Sequence, residues 1–551
     1  MAGAIRRIED EKKQVSLIEK EDRKESFFSG VLVLSLSAVI VKIIGLIYKI
    51  PMFKLLGSEG MGYFNSAYEI YALFCVIATA GLPVAMSVMI SSSKDTERRA
   101  GQILKVALGL FLVLGAIGAL IMLVLARPFA QFLNGDKAFY CIAAISPTVF
   151  LICISSAYRG YFQGLGKMLP TAISQVIEAL GKLFIGLALA FIAFDMGFSG
   201  EIVAAFAVMG LTLGTAVSAL YLILAKRFSN SSKQTKLLRP TNNRKIASKL
   251  LRIAFPITLS SAVISVVRVI DMAMILRRMQ SAGMPADEVF SAYGSYTTLA
   301  VPLFSVAPSL ITAVSLPLVP TLSAAIGEGN EGAQRRAIGD AVKLTCTVAM
   351  PISFGLCLFA PQILSLVFSG EEQAIATSAP LLSILSLSVP LSCLVTVGNA
   401  ILQSYGRAAI PIWSMTAGAI IKIILAYFLI GNKDVSIAGA PISTLLCDLT
   451  INAINFYCIN KQLPSPIRIS DTVARPFAAS LISVTSARTL YMLAEKRMGE
   501  SSLLTLLAIG SAALIYLPVG LMTGAIDKNM MAEMPVLKRF VPQRYKNSNK
   551  Q

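Results

Sequence analysis

The chain alternates long apolar segments with short polar connections over most of its length. A helix needs about 20 apolar residues to cross the roughly 30 Å of a bilayer core, and fourteen segments reach that length. They are 28–50, 64–91, 102–126, 138–158, 170–194, 201–225, 250–276, 290–325, 341–367, 375–403, 409–430, 436–459, 473–494 and 502–526. Because backbone polar groups in a bilayer must be hydrogen-bonded within the protein, helices are favoured. The pattern predicts an all-α polytopic membrane protein with 14 transmembrane helices.

The eighth segment is long for one crossing and contains four prolines. They are Pro302, Pro308, Pro317 and Pro320. Proline removes a helical hydrogen bond and kinks a helix. We expect one kinked helix here, packed against neighbouring helices or lining a wet cavity.

Composition excludes several classes of protein. Of the 551 residues, 55% are hydrophobic and 14% charged, against about 45–50% and 25% in soluble domains. A water-soluble enzyme, a disordered chain and a fibre are therefore excluded. There is no His, and the eight Cys lie in apolar stretches without a CxxC pair. No ATP-binding GxxxxGK[ST] motif occurs. We predict no metal site, no cofactor and no catalytic residues.

The net charge of +19 could indicate nucleic-acid binding, but the position of the cations favours a membrane. Most Lys and Arg fall on one face if loops are assigned alternately, so the positive-inside rule places both termini in the cytoplasm. The basic stretch 226–252 contributes most. We favour a phospholipid-facing surface there; a specific partner site is the alternative. No nucleic-acid partner is predicted.

An internal repeat divides the chain. Residues 158–182 match 399–422 at an offset of 240, which aligns Gln163 with Gln403, Gly166 with Gly406, Lys167 with Arg407 and Lys182 with Lys422. Duplicated transporters place their binding site between the halves. The predicted organisation is a charged cytoplasmic N-terminus 1–27, an N-lobe 28–225, a basic cytoplasmic linker 226–249, a C-lobe 250–460, an extra helix pair 473–526 and a basic cytoplasmic tail 527–551.

Of the charged residues in the predicted spans, ten are candidates for positions inside the membrane. They are Lys42, Lys49, Lys182, Arg268, Lys422, Arg488, Glu69, Glu178, Asp271 and Asp448. Each costs about 2.5–3.5 kcal/mol at a helix centre, so we expect most to face each other or water. The excess of cations favours an anionic substrate carrying phosphate or carboxylate groups.

Structural explanations remain open for several of these charges. Lys49 could snorkel from its helix end. Glu178 with Lys182 could form a local pair along one helix, and so could Arg268 with Asp271. Lys42 has no acid three or four residues away, which favours a cavity cation. Lys422 could line the cavity or pair between helices, whereas Arg488 and Asp448 are interpreted as structural.

Three segments carry a resemblance to a known family. KIIGLIYKIPMFKLLGSEGMGYFN (42–65), TAGLPVAMS (79–87) and YRGYFQGLGKMLPTAISQVIE (158–178) resemble the SpoVB and MurJ-like polysaccharide-exporter branch of the multidrug/oligosaccharidyl-lipid/polysaccharide flippase superfamily. The resemblance implies 14 spans in two six-helix lobes. It implies a flippase for a lipid-linked oligosaccharide in the bacterial cell membrane, with lipid II, the peptidoglycan precursor, as its substrate. It also implies that 473–526 borders a groove for the polyprenyl tail.

The family motif is kept only in part. MurJ-like first helices carry Arg-x-x-Gly-x-x-Arg on the cavity, and here Lys42 and Gly45 match the first cation and the glycine. Tyr48 replaces the second cation, with Lys49 one residue later. Arg268 matches a basic residue that the family places on its seventh helix. The departure at Tyr48 puts the identity of the lipid in question.

The resulting hypothesis is a transporter and not an enzyme. A cationic cavity containing Lys42, Arg268 and Lys49 would neutralise an anionic lipid-linked oligosaccharide during alternating access. The remaining predicted cavity residues are Glu69, Glu178, Lys182, Asp271 and Lys422. Hinges are predicted at Gly81, Pro83, Pro302 and Pro308, where helices two and eight would bend. A coupling ion is left open.

Two other functions remain possible from the sequence. A multidrug antiporter of the same superfamily would need a buried carboxylate in the first half, and Glu69 or Glu178 could serve. A membrane glycosyltransferase or polymerase acting on lipid-linked sugar would need acidic pairs on outer loops. Asp287-Glu288 and Glu371-Glu372 are such pairs, although solvated loop charges explain them equally well.

Overall fold

The computed structural model describes residues 2–92, 96–229, 242–462 and 470–526; side chains of 2–32 and of a few further positions, including Pro317, lie outside this description. Half of the predicted linker, residues 230–241, and the whole predicted tail 527–551 also lie outside it. The helices are α1 (Ala2–Thr79), α2 (Leu82–Ser91), α3 (Thr96–Val124), α4 (Ala126–Phe132), α5 (Ala138–Gly164), α6 (Leu169–Asp195), α7 (Gly200–Ser229), α8 (Asn243–Ser281), α9 (Ala286–Ser295), α10 (Val301–Gly327), α11 (Glu331–Leu358), α12 (Ala360–Val367), α13 (Glu372–Ser386), α14 (Val389–Ser404), α15 (Ala409–Gly431), α16 (Gly439–Gln462), α17 (Arg475–Met498) and α18 (Ser502–Thr523). The described residues contain no strand.

The prediction of an all-α membrane protein is confirmed. Twelve helices in the described residues are long and apolar enough to span a membrane, or thirteen if the bent pair α13–α14 counts as one span. The first of them, Leu36–Ser91, has 56 residues, more than twice what one crossing needs. It breaks at Gly57, where φ is 67°, a backbone conformation that glycine adopts without strain. The count of 14 stays a prediction.

The chain forms two compact units, Met1–Met272 and Ala273–Gln551. The boundary falls inside α8, so most of this helix is grouped with the first unit, whereas the sequence assigned its residues from 250 onward to the second lobe. The predicted lobe boundaries stay a prediction.

Close contact between α6 and α7 organises the first unit. Gly210 and Gly214 are one turn apart on α7, and a Cβ at Gly181 of α6 would lie 2.5 Å from the Cα of Gly214. Gly186 of α6 approaches Gly210 similarly. Small residues let transmembrane backbones approach where the hydrophobic effect gives no driving force. This contact fixes the α6 face that carries Glu178 and Lys182.

The second unit packs α10, α11, α14 and α16 around one apolar core. A buried amide network crosses it: Asn455 donates to Asn399 Oδ1 (2.9 Å) and accepts from the Ser414 hydroxyl (2.7 Å). The predicted single kinked helix at 290–325 corresponds to α9 and α10 joined by the π-helical turn Tyr296–Ala300. Pro302 is the second residue after this turn.

Candidate functional site

A polar cluster inside the first unit contains most of the predicted cavity residues. Its centre is an ion pair in which Arg159 Nη2 donates to Glu178 Oε2 at 2.8 Å, with side-chain exposures of 13% and 19%. Arg159 also donates to the hydroxyls of Ser174 (2.9 Å) and Ser218 (3.3 Å). Helices α5, α6 and α7 are therefore joined by one largely buried guanidinium group.

Lys182 lies one turn after Glu178 but does not pair with it. Its ammonium group faces three aromatic rings, with Nζ 5.0 Å from the ring centroid of Tyr48, 5.4 Å from that of Phe64 and 4.8 Å from that of Tyr68. Glu178 therefore forms its direct ion pair with Arg159 of α5 and not with Lys182. The two groups remain within electrostatic reach.

Further charges approach this cluster from α1 and α8. Lys49 is half-buried and interacts electrostatically with Lys182 and Glu69. Arg268 is exposed and interacts with the Tyr68 hydroxyl, as do Glu69 and Glu178. The structure thus brings together Lys49, Glu69, Glu178, Lys182 and Arg268.

The other three predicted cavity residues are Lys42, Asp271 and Lys422. Lys42 is exposed on α1, two turns before Lys49 and on the same side of the helix. Asp271 is half-buried on α8. Lys422 belongs to the second unit, where it interacts electrostatically with Asp448, whose carboxylate accepts a hydrogen bond from Ser392.

The predicted hinge at Gly81 and Pro83 occupies a real helix break, because α1 ends at Thr79 and α2 begins at Leu82. Both residues are tightly packed. The Gly81 amide donates to Thr258 Oγ1 of α8 at 3.1 Å. A Cβ at Gly160 of α5 would lie 2.8 Å from the Cα of Pro83. Pro302 and Pro308 are half-buried near the start of α10.

Sequence reasoning missed Arg159 and the three rings. The apolar run was ended at 158, which left Arg159 in a loop, whereas α5 continues to Gly164. The YRGYFQG segment contained the signal, since it was already the most distinctive part of the resemblance. Phe64 and Tyr68 gave no signal because each reads as an ordinary apolar membrane residue, and Tyr48 was noted only as the replacement for a family cation.

Basic residues at the start of α8 line two surface cavities. Lys245 and Lys249 border both, Arg99 and Gln102 of α3 border the smaller one, and Arg244 and Arg252 the larger. The phospholipid-facing surface predicted around 226–252 stays a prediction.

Comparison with known proteins identifies the family. The family model described as "Polysaccharide biosynthesis protein" matches residues 27–326, more than half of the chain. The chain belongs to this family. A second family model, MatE, matches residues 256–428.

Two curated relatives from Bacillus subtilis (strain 168) match almost end to end. Stage V sporulation protein B is 26% identical over 94% of this chain and 99% of its own length. Lipid II flippase MurJ is 26% identical over 92% of this chain and 97% of its own length. The resemblance to the SpoVB and MurJ-like branch is confirmed.

Solved structures agree on the fold. The inward closed structure of a lipid II flippase MurJ has a TM-score of 0.69 at 15% identity, covering 89% of this chain and 98% of the other. An inward-facing multidrug resistance MATE family transporter has a TM-score of 0.59 at 18% identity, covering 76% and 98%. The chain therefore has the multi-pass membrane fold of the multidrug/oligosaccharidyl-lipid/polysaccharide superfamily.

Proposed function

We propose that the chain is a flippase that moves an anionic lipid-linked oligosaccharide pyrophosphate, with lipid II as substrate, from the inner to the outer leaflet of the bacterial cell membrane. One observation carries the proposal: the cations Lys49, Arg159, Lys182 and Arg268 lie near the acids Glu69 and Glu178 in the first unit. An excess of cations at membrane depth suits a pyrophosphate. The end-to-end similarity to MurJ supports it.

The cations differ in their availability to a substrate. Arg159 is committed to Glu178 and Lys182 to the rings, while Lys42 and Arg268 are exposed. We assign first contact with the pyrophosphate to these two. Alternating access would use bends at Gly81, Pro83, Pro302 and Pro308. With both termini cytoplasmic, outward movement of one negative charge gains about 2.3 kcal/mol per 100 mV.

Complementation tests this proposal. In a bacterium depleted of its own lipid II flippase, the unmutated chain should restore growth. Lys42→Ala with Arg268→Ala should reduce rescue at least about tenfold, since a tenfold effect corresponds to only about 1.4 kcal/mol. Arg407→Ala, which removes an exposed cation between α14 and α15, should rescue fully.

Two outcomes would contradict it. Full rescue by the double variant would remove Lys42 and Arg268 from substrate binding. No rescue by the well-expressed unmutated chain would exclude lipid II. The MatE match over 256–428 favours multidrug export as the second candidate, and resistance to cationic dyes on expression would support it.

We assign the lipid tail to the second unit. An apolar cavity of about 510 Å³ lies between α11–α12 and α17–α18. Its lining includes Pro351, Gly355, Leu356, Phe359, Val484, Ile509, Ala512 and Tyr516. An isoprenoid chain suits this lining because apolar contacts there leave no polar group unpaired.

Filling this cavity should impair transport of long-chain substrates. At Gly355 a Cβ meets nothing within 4 Å, so Gly355→Trp should fold and occupy the tail space. Flipping of a long-chain lipid in proteoliposomes should fall about tenfold or more, while a short-chain analogue is less affected. Gly510→Trp, at an exposed and equally open position of α18, is the control. Equal flipping of both lipids by Gly355→Trp would place the tail elsewhere.

A further inference from the structure

Three aromatic rings surround one ammonium group in the first unit. Tyr48, Phe64 and Tyr68 all belong to α1, and each ring centroid lies between 4.8 and 5.4 Å from Lys182 Nζ on α6. Energetically significant cation–π contacts occur only about once per 70–80 residues. Three contacts on a single amine therefore form a defined site, which we call the ammonium cage.

The cage is built by the break in α1. Tyr48 precedes Gly57 and the other two rings follow it, so rings from both segments converge; those of Tyr48 and Phe64 are 6.1 Å apart. Phe64 and Tyr68 are one turn apart and share a face. The Tyr48 and Phe64 side chains are 1% and 3% exposed, whereas Tyr68 is 37% exposed. The cage is thus closed by two rings and accessible beside the third.

The ring faces make the direct contacts of the Lys182 amine, while Glu178 lies within electrostatic reach without forming an ion pair with it. The nearest acid along α6, Glu178, is held by Arg159 at 2.8 Å, and Lys49 adds a second cation nearby. An ammonium group at membrane depth without an ion pair is costly. Ring faces carry negative potential and compensate a desolvated cation. This arrangement selects for an ammonium group rather than for an apolar side chain.

We propose that Tyr48, Phe64 and Tyr68 form a binding site for a monovalent ammonium ion, and that Lys182 is its resident, covalently tethered occupant. The chain itself thereby supplies a positive charge that would otherwise come from a dissolved cation. With Lys182 shortened, the vacated cage takes a small primary alkylammonium ion from solution, entering beside Tyr68. This inference is independent of the substrate proposed above.

Thermal unfolding of the purified full-length protein in nanodiscs tests the cage directly. The melting temperature is measured in propylammonium chloride and in sodium chloride at equal concentration. The difference between the two salts should be larger for Lys182→Ala than for the unmutated protein by about 2 °C or more, because the ion binds the vacated cage. Lys182→Ala combined with Tyr68→Ala should lose this response. Lys422→Ala, which shortens the repeat-related lysine in the second unit, is the matched control. Equal responses in all variants would overturn the proposal.

A second measurement leaves Lys182 in place. It tests the cage even if Lys182→Ala does not fold. Progressive fluorination of Phe64 weakens the negative potential of the ring face with little change in shape. The melting temperature should fall stepwise with each fluorine, and an unchanged melting temperature would overturn the proposal. Phe111, buried in the apolar core beside α2, is the control position and should show no such series.

A transport assay distinguishes this inference from the proposed function. Of the three tests of the cage, this assay is the one that rests on the proposed function. Lys182→Ala should lose flipping of lipid II in proteoliposomes and regain it with propylammonium, while the unmutated protein ignores the additive. If the melting experiment succeeds and no variant flips lipid II, the cage stands and the proposed substrate falls.

Discussion

Arg159→Ala is expected to lower the free energy of unfolding by about 3 kcal/mol, because removing one partner of a buried ion pair leaves an uncompensated charge. Arg159 also holds Ser174 and Ser218, so three helices lose their common hydrogen-bond donor. Lys182 remains within electrostatic reach of Glu178, which keeps the loss at the lower end of the usual range. Denaturant unfolding of the purified protein measures it.

Two comparisons isolate the buried charge as the cause. Arg159→Met with Glu178→Gln removes both charges and should recover most of the stability. Lys137→Ala breaks the ion pair with Glu59, formed at 3.0 Å but with side chains 44% and 39% exposed. Exposed pairs contribute at most about 1 kcal/mol. A loss at Arg159 no larger than at Lys137 would refute a structural role for the buried pair.

Gly81→Ala is expected to destabilise the protein by about 3 kcal/mol or to prevent its accumulation, at the upper end of the cost of overpacking. The added Cβ would overlap the carbonyl oxygen of Ala254 and lie 2.6 Å from Thr258 Oγ1. The obstructing oxygen belongs to the backbone of α8, so no side-chain rotation relieves the clash. Yield and thermal unfolding measure the effect.

Gly109→Ala provides the matched comparison for this substitution. A Cβ at Gly109 meets nothing within 4 Å, so alanine there should stabilise α3 by about 0.5–1 kcal/mol. Gly81→Ala combined with Thr258→Ala should recover little, because the Ala254 carbonyl still obstructs the methyl group. Normal stability of Gly81→Ala would show that α8 yields easily at this contact.

Hydropathy located most helices closely. The segment predicted at 170–194 is Leu169–Asp195, and that at 409–430 is Ala409–Gly431. The break at Gly81 and Pro83 also follows from local sequence. The spans were predictable because a bilayer requires each span to satisfy its backbone hydrogen bonds within its own helix. Whether a segment can do so depends on consecutive residues. The 56-residue segment Leu36–Ser91 covers most of the first two predicted spans, 28–50 and 64–91, and its break at Gly57 lies between them.

Partners of the charged residues were not predictable from spacing. Glu178 and Lys182 are four residues apart, which suggested a local pair, yet Arg159 from another helix holds the carboxylate. The cation that pairs with a given anion is decided by how closely the helices approach each other. For α6 and α7 that approach depends on Gly181 and Gly214, which are far apart in sequence.

The sequence by itself determined the membrane class, the position of most spans, the family and the excess of cations within the spans, because each is a property of consecutive residues or of composition. Only the tertiary structure decided that Arg159 belongs to the polar cluster and that Lys182 faces three rings of α1. The reason is distance along the chain: Phe64 and Lys182 meet only after α1 has broken at Gly57 and packed against α6.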